Sequence, residues 1–542
     1  MFERVYNLAV EKYPKLSKRN VQYGTAGFRS IHSELPPIVF RMGLLAVLRS
    51  KAKKATIGVM ITASHNPEED NGVKIIDPFG EMLEASWELF ATYLANVEDE
   101  DIPTSLNKII CDADINIKEP AQVFVAHDTR FSSPHLCAAV KMGVEILDGK
   151  LRDYGLLTTP QLHYMVCCYN TKNKYGEDTE DGYYKKLSNA FIQLRKDSSV
   201  DSKKKYLPTV KLDGANGIGS IKIKLLQKYL ENFLDIKLYN DGSKGKLNYK
   251  CGADFVKVQQ KLPEGLSLEV GDKGLSYDGD ADRIVYYYLD SKNTFHLLDG
   301  DKIAVLVATY LKHLLNATGL TNVKLCIVQT AYANGNSTNY ISNTLKIPVA
   351  CVPTGVKHLH HRAQKEDIGI YFEANGHGTV LFNEAVINEI NEVTKNSCDS
   401  NKQSAAKKLL LTIDMINQTA GDAISDMLLV ETILYTFDWD IATWNNLYAD
   451  LPNKQLKVQV VDRTIITTTD AERKCVTPNG LQTSIDELVK KYENGRSFVR
   501  PSGTEDLVRV YAEATTQENA DMLAREVAEK VYELAGGIGD KP

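Results

Sequence analysis

Short runs of β-branched and aliphatic residues recur along the chain, and each closes on a polar, glycine-bearing loop. Thr56 to Ile61 runs into Thr62-Ala-Ser-His-Asn-Pro67, Gln122 to Ala126 into His127-Asp-Thr-Arg130, and Thr209 to Leu212 into Asp213-Gly-Ala-Asn-Gly217. Helical patterns follow most of these runs. Strands alternating with helices predict an α/β, multi-domain chain on mixed, largely parallel sheets, with ligand groups gathered at the strand-to-helix loops. Comparable loops at Ala126, Asp213 and Thr330 recur without a fixed period, so a repeat is suspected and not established.

Two polar stretches, Arg195 to Lys205 and Leu447 to Lys454, mark cuts near 200 and 453. A third, Thr394 to Ser404, reads as a loop inside a domain. Beyond 453 the pattern changes to strands around Phe498 and Val508. Thr515 and Glu518 then form a capping box that opens a helix running to Gly536. The expected division is 1–200, 201–300 and 301–453 as α/β domains, with 454–542 as an α+β domain.

Composition narrows the function. The 542 residues are 43% hydrophobic and 25% charged with 17 prolines, which excludes a disordered scaffold, a collagen-like fibre and a coiled coil. Sixty-four basic against 70 acidic residues leave a net charge of -6, too evenly mixed for a nucleic-acid surface or a polybasic membrane anchor. The longest apolar run, Ile303 to Leu315, is interrupted by Lys312 and His313 and is too short to span a bilayer. The N-terminus carries charges where a signal peptide needs apolar residues. Nine cysteines, an odd number with no C-x-x-C pair, argue for a reducing compartment. The expectation is a cytoplasmic protein acting on small molecules, with no nucleic acid and no membrane as partner.

Several loops carry candidate chemistry. Thr62-Ala-Ser64-His-Asn-Pro67, followed by Lys74, is either an Asn-Pro turn or a nucleophilic or phosphorylated serine with a cation nearby. Asp278-Gly-Asp280-Ala-Asp282-Arg283 places three carboxylates at alternate positions, which repel unless a cation is present, and hard oxygen ligands suit Mg²⁺. An EF-hand is excluded, because Arg283 stands where glycine is required and Leu289 where glutamate is required. Thr354-Gly-Val-Lys357-His358 and Glu373-Ala374-Asn375-Gly-His377 offer donors and acceptors suited to sugar hydroxyls and an amide. His358, His360 and His361 read as solvated or substrate-facing rather than as metal ligands. Arg500-Pro501-Ser502-Gly503-Thr504 with Arg509 sets two guanidiniums and two hydroxyls around one turn, a match for a phosphate dianion. No nucleotide-triphosphate loop or dinucleotide fingerprint is present. A serine, a divalent cation, a sugar loop and a separate phosphate clamp together make the set that a phosphomutase needs.

These loops in this order resemble the α-D-phosphohexomutase superfamily, from Gly24-Thr-Ala-Gly-Phe-Arg29 to the Arg500 loop. Within it the chain looks like the phosphoacetylglucosamine mutase branch along nearly its whole length. Glu373-Ala374-Asn375-Gly-His377 carries Ala-Asn where the hexose enzymes commonly show a serine. The resemblance implies that Ser64 is the phosphoserine and that, beside it, Asp278, Asp280 and Asp282 bind one Mg²⁺ per subunit. It further implies that Glu373, Ala374 and Asn375 read the sugar, and that Arg500 to Thr504 with Arg509 clamp a phosphate. Arg29, Lys74, Arg283 and His358 would be catalytic, with Lys357 on the substrate. The implied reaction interconverts the 6- and 1-phosphates of N-acetylglucosamine through a 1,6-bisphosphate, on the route to UDP-N-acetylglucosamine. Three alternatives stand beside it: a glucose or mannose phosphomutase, a phosphatase using Asp280-Ala-Asp282-Arg-Ile284, and a silent sugar-phosphate-binding protein.

Overall fold

The Thr56–Ile61 run becomes β2 (Ile57–Ile61), the fully buried second strand of a five-stranded sheet in a computed structural model of the chain. The structure describes residues 2–16, 19–196, 205–503 and 505–542. The expected cut near 200 and the predicted site residue Thr504 lie outside the described residues. Contacts divide the chain into two units. The first comprises Met1–Asp299, Asn375–Thr379 and Lys407–Ala442; the second comprises Gly300–Ala374, Val380–Ala406 and Thr443–Pro542.

The first unit holds two sheets. One consists of β1 (Phe28–Ile31), β2, β3 (Asp70–Ile76), β4 (Gln122–His127) and β5 (Lys150–Leu156), in the order β1-β3-β2-β4-β5. The other consists of β6 (Thr209–Asp213), β7 (Asp235–Tyr239), β8 (Gly274–Tyr277), β9 (Ile284–Leu289) and β10 (Phe295–Leu298), in the order β10-β9-β8-β6-β7. In each, two strand pairs are parallel and two antiparallel. The sheets are therefore mixed, as expected, but less parallel than the alternation suggested. The helices Pro36–Lys53 and Ser133–Ile146 pack on the first sheet with a continuous apolar core.

The second unit carries β11 (Leu325–Gln329), β12 (Val349–Cys351), β13 (Ile368–Phe372) and β14 (Gly378–Phe382), in the order β12-β11-β13-β14, with β14 beginning inside the first unit's Asn375–Thr379 segment. It also carries β15 (Asn453–Gln459), the two-stranded β16 (Thr467–Thr469) and β17 (Lys474–Thr477), then β18 (Arg496–Pro501) and β19 (Leu507–Glu513). The apolar run Ile303 to Leu315 is the middle of a mostly buried helix, Gly300–Thr318. No helix among the described residues is long and apolar enough to cross a membrane.

Three local expectations are corrected. The polar stretch 394–404 is not a loop: the helices Glu384–Asn396 and Ser400–Met415 nearly meet there, and their polar residues are exposed helical faces. The last helix, Gln517–Leu534, is capped by Thr516, whose hydroxyl accepts from the Asn519 N–H; Thr515 instead donates to the Glu493 carbonyl. Most consequentially, four of the five loops with candidate chemistry are strand-to-strand connections, and the Thr354 loop alone leads from a strand, β12, into a helix, Val356–Ala363. Residues 62–69, 278–283 and 502–506 join β2 to β3, β8 to β9 and β18 to β19, each an antiparallel pair, and 373–377 joins the neighbours β13 and β14.

Candidate active site

Ser64 sits at the turn after β2 with a left-handed backbone (φ 52°) and is fully buried. A non-glycine residue holds that conformation only when its surroundings enforce it. Here the Ser64 N–H donates to the Thr62 hydroxyl at 3.0 Å, while its carbonyl accepts from Arg130 at 2.9 Å and Asn248 at 2.8 Å. Both side chains also bond the Asn66 carbonyl, so the turn is held from two sides. Asp128 underpins it. This buried carboxylate accepts from Thr62 and Ser133 at 2.8 Å each and from the Arg130 N–H at 3.0 Å, and it pairs with the Arg130 guanidinium at 3.2 Å. An Asp128→Ala variant, which strands a buried arginine, should lose about 3–5 kcal/mol of stability. Chemical denaturation of the first unit checks this, and an unchanged midpoint would contradict it.

The Ser64 hydroxyl donates to Asp278 Oδ2 at 2.6 Å. Asp278, Asp280 and Asp282 are all buried, and each offers a carboxylate oxygen within 4.8 Å of the others. Gly279 lies so close that a Cβ there would stand 2.4 Å from the Ser64 carbonyl, so only glycine admits the two loops to each other. Lys74 reaches Asp280 at 3.3 Å and Asp282 at 3.5 Å, and Arg283 lies 3.8–3.9 Å from Asp282 and Asp278. The Thr159 hydroxyl donates to Asp280 at 2.6 Å, and His377 faces Asp282 at 3.5 Å. Burial, then the neighbouring Asp282 and Asp280, push the Asp278 carboxyl well above its ordinary range. Burial acts the same way on Asp282, but His377, Lys74 and Arg283 outweigh it and hold that carboxyl well below the usual range. Among the described residues Asp280 Oδ1 and Asp282 Oδ1 are buried without a hydrogen-bond partner, Asp282 Oδ1 having only the longer ionic contacts with His377 and Arg283. Three hard oxygen donors, two of them unsatisfied, fit a divalent cation such as Mg²⁺.

Arg29, on β1, donates to the Asn66 side chain at 3.3 Å and is lowered from its usual range by burial and by Arg283. His65 lies beside it, and burial with the cations Arg283 and Arg29 brings its pKa down to about 3, so the imidazole is neutral. Of the sugar-loop residues, Asn375 Oδ1 accepts the His377 N–H at 3.0 Å, and the Gly376 carbonyl accepts from Ile284 at 3.2 Å, directly after the carboxylate loop. Glu373, Ala374 and Asn375 are half-buried.

The second unit carries the other predicted residues. Lys357 is buried and His358 exposed on the helix Val356–Ala363. His360 departs from the expectation: it is buried, its ring bonding the Tyr371 hydroxyl at 3.0 Å, because its helix face packs on β13. Arg500 and Arg509 face each other directly in the β18–β19 register. Like charges so placed repel. Arg509 Nε is buried with no partner among the described residues, while Arg500 Nε donates to Glu472 at 2.9 Å. Ser502 is buried at the turn, and at Gly503 a side chain would meet open space. Pro501 closes β18. Two opposed arginines on one turn suit an anion by charge and geometry.

The chain matches the family models "Phosphoacetylglucosamine mutase AMG1, domain III" over residues 299–439 and domain II over 175–285. It also matches the phosphoglucomutase/phosphomannomutase C-terminal domain over 456–530 and domain I over 43–90. It is 55% identical over 538 residues to the phosphoacetylglucosamine mutase of Homo sapiens, covering 98% of each chain. The chain belongs to the phosphoacetylglucosamine mutase family. A solved structure of the Aspergillus fumigatus N-acetylphosphoglucosamine mutase, in complex with GlcNAc-6P and magnesium, is 45% identical, with a TM-score of 0.93 over 98% of this chain and 99% of that one. A serine-to-alanine variant of that mutase, solved with glucose 1,6-bisphosphate, matches with a TM-score of 0.92 at 45% identity over the same shares. The fold class and the superfamily read from the sequence are borne out. Within this phosphoacetylglucosamine mutase frame, sequence reasoning missed Thr159, Asn248, Asp128, Arg130 and Glu472 as supporting residues. Only Asp128 and Arg130 left a signal, in the polar strand end His127-Asp-Thr-Arg130.

Proposed function

We propose that this chain interconverts N-acetylglucosamine 6-phosphate and N-acetylglucosamine 1-phosphate, with Ser64 as the phosphorylated residue and a 1,6-bisphosphate as the intermediate. The observation that carries the reading is Ser64 itself: a strained, fully buried serine whose hydroxyl is 2.6 Å from the first of three clustered carboxylates. A relative crystallised with GlcNAc-6P and magnesium supports the substrate and the ion.

Phosphorylated Ser64 gives its phosphoryl group to the substrate hydroxyl, and the bisphosphate returns its other phosphoryl group to Ser64 Oγ. Catalysis of this kind rests on positioning and charge neutralisation. The backbone bonds from Arg130, Asn248 and Thr62 fix where Oγ stands, while Lys74, Arg29 and Arg283 supply positive charge at the reacting phosphoryl group. Asp278, Asp280 and Asp282, together with Ser64, would hold one Mg²⁺, which when bound polarises a phosphoryl oxygen. Glu373, Ala374 and Asn375 read the sugar, the carboxamide pairing with the acetamido group, and Lys357 and His358 serve the same substrate. Arg500, Pro501, Ser502, Gly503, Thr504 and Arg509 hold the phosphate that is not reacting. On this reading the segments 1–200, 201–300, 301–453 and 454–542 contribute one strand-to-strand loop each. The enzyme is cytoplasmic and feeds UDP-N-acetylglucosamine synthesis.

A coupled assay tests the specificity. N-acetylglucosamine 6-phosphate should exceed glucose 6-phosphate in kcat/KM by at least about tenfold, because a half-buried Asn375 left without its partner in the closed complex costs binding energy. Equal efficiencies would move the chain to the hexose branch, and release of inorganic phosphate would favour the phosphatase reading.

A further inference from the structure

Glu472 lies outside every motif the sequence offers, yet its carboxylate joins two of the candidate substrate loops. Oε1 accepts from Arg500 Nε at 2.9 Å. Oε2 accepts from the Thr354 N–H at 2.9 Å and also from the Thr354 hydroxyl. Thr354 immediately precedes Gly355, the N-cap of the helix that carries Lys357 and His358. The backbone goes out of its way to place this carboxylate: Asp470, Ala471 and Glu472 are three consecutive non-glycine residues in the left-handed region, at φ 52°, 54° and 69°. Such strain persists only where surrounding contacts enforce it, and it concentrates at functional sites.

The side of the guanidinium that is taken matters. An arginine that binds a phosphate does so best through two parallel N–H groups of a fixed plane. Bonding at Nε fixes that plane. Arg509, opposite Arg500 in the strand register, has a buried Nε without a partner among the described residues. Glu472 also offsets the repulsion between the two cations.

We propose that Glu472 is a positioning residue: it sets the plane of Arg500 for phosphate and ties the Arg500 turn to the Thr354 loop. This rests on the reading of Arg500 and Arg509 as the phosphate clamp. The competing role, a carboxylate that occupies Arg500 and must be displaced by phosphate, makes the opposite prediction for affinity.

Steady-state kinetics in both directions, on the Glu472→Ala, Glu472→Gln, Arg500→Ala, Arg509→Ala and Glu472→Ala/Arg500→Ala variants, separate the possibilities. Glu472→Ala should raise KM for both monophosphates by about tenfold with kcat changed less than about threefold, the pattern of lost uniform binding. Glu472→Gln retains an acceptor for Arg500 Nε but not for the Thr354 N–H, and should raise KM by about threefold. In the Arg500→Ala background the Glu472→Ala change should add well under half of its effect in the parent, leaving only the part that runs through the Thr354 loop. Unchanged or lowered KM in both Glu472 variants, or full additivity with Arg500→Ala, overturns the proposal. If the alanine variant does not fold, the glutamine variant decides alone, by the same rise or its absence. Arg509→Ala tests the underlying reading separately: if its KM values are normal, the clamp assignment is wrong, whereas raised values there with normal values in the Glu472 variants refute only the positioning role.

Discussion

Replacing Ser64 by alanine should lower kcat by at least about a thousandfold, because a phosphoryl carrier without its oxygen has no substitute in the loop. The fold should survive. The turn is held through backbone atoms, with Thr62, Arg130 and Asn248 bonding the Ser64 and Asn66 main chain, and none of those bonds needs the hydroxyl. The substitution removes one hydrogen bond, to Asp278, a loss of about 1–3 kcal/mol. Two measurements check the expectation. The coupled assay should find almost no turnover, and intact-mass spectrometry should find a phosphorylated fraction in the parent protein that is missing from the variant. An active Ser64→Ala enzyme would remove the serine from the mechanism, whatever the family relationship.

The parts of this site that were legible in the sequence were those written as local runs. Asp278, Asp280 and Asp282 alternate along five residues, and a serine between a strand and an Asn-Pro turn is visible without any tertiary information. Arg500 and Arg509 were legible as a pair, because a tight turn between two strands brings residues nine apart face to face. The residues that hold these groups in place were not legible, since their contacts span long separations. Asn248 reaches the Ser64 carbonyl across 184 positions and Thr159 reaches Asp280 across 121. Glu472 shows the same limit, lying 118 residues from Thr354 in a stretch whose left-handed backbone no glycine announces.

The fold was read more easily in class than in connection. Alternating apolar runs identified β2, β4 and β6, but the hairpin return through β3 was hidden. Asp70–Ile76 carries Asn71, Gly72 and Lys74, residues that look like loop in a one-dimensional pattern. Each has a tertiary contact that the pattern does not show. Lys74 must point at Asp280, and at Gly72 a Cβ would stand 2.4 Å from the Phe28 carbonyl. Tertiary contacts have overwritten strand propensity at this point, which is where a reading from pattern is expected to fail.

In the absence of divalent cations an Asp278→Asn variant should be more stable than the parent at pH 7 to 8. The Asp278 carboxyl, buried among Asp282 and Asp280, has a folded-state pKa well above its unfolded value of about 4. Between the unfolded and folded pKa values the folded state therefore holds a proton that the unfolded state has released. The contribution of this group to stability is complete below the unfolded pKa and is lost as pH rises toward the folded one. Asparagine has the same shape without the charge: its carbonyl accepts the Asp282 and Arg283 N–H groups that Asp278 Oδ1 now accepts, and its amide donates to Ser64 Oγ. In chelator, the variant should unfold a few degrees higher than the parent at pH 8, with the difference shrinking toward pH 4. Added Mg²⁺ should reverse the order. It should raise the parent's midpoint by several degrees, since saturation at about a hundredfold over Kd contributes about 2.7 kcal/mol, and should move the variant little. Activity of the variant should fall by at least about a hundredfold. A variant less stable than the parent in chelator at pH 8 would mean that Lys74 and Arg283 already satisfy the three carboxylates. The cluster would then be an internal ion-pair network, and the assignment of a cation to it would be wrong.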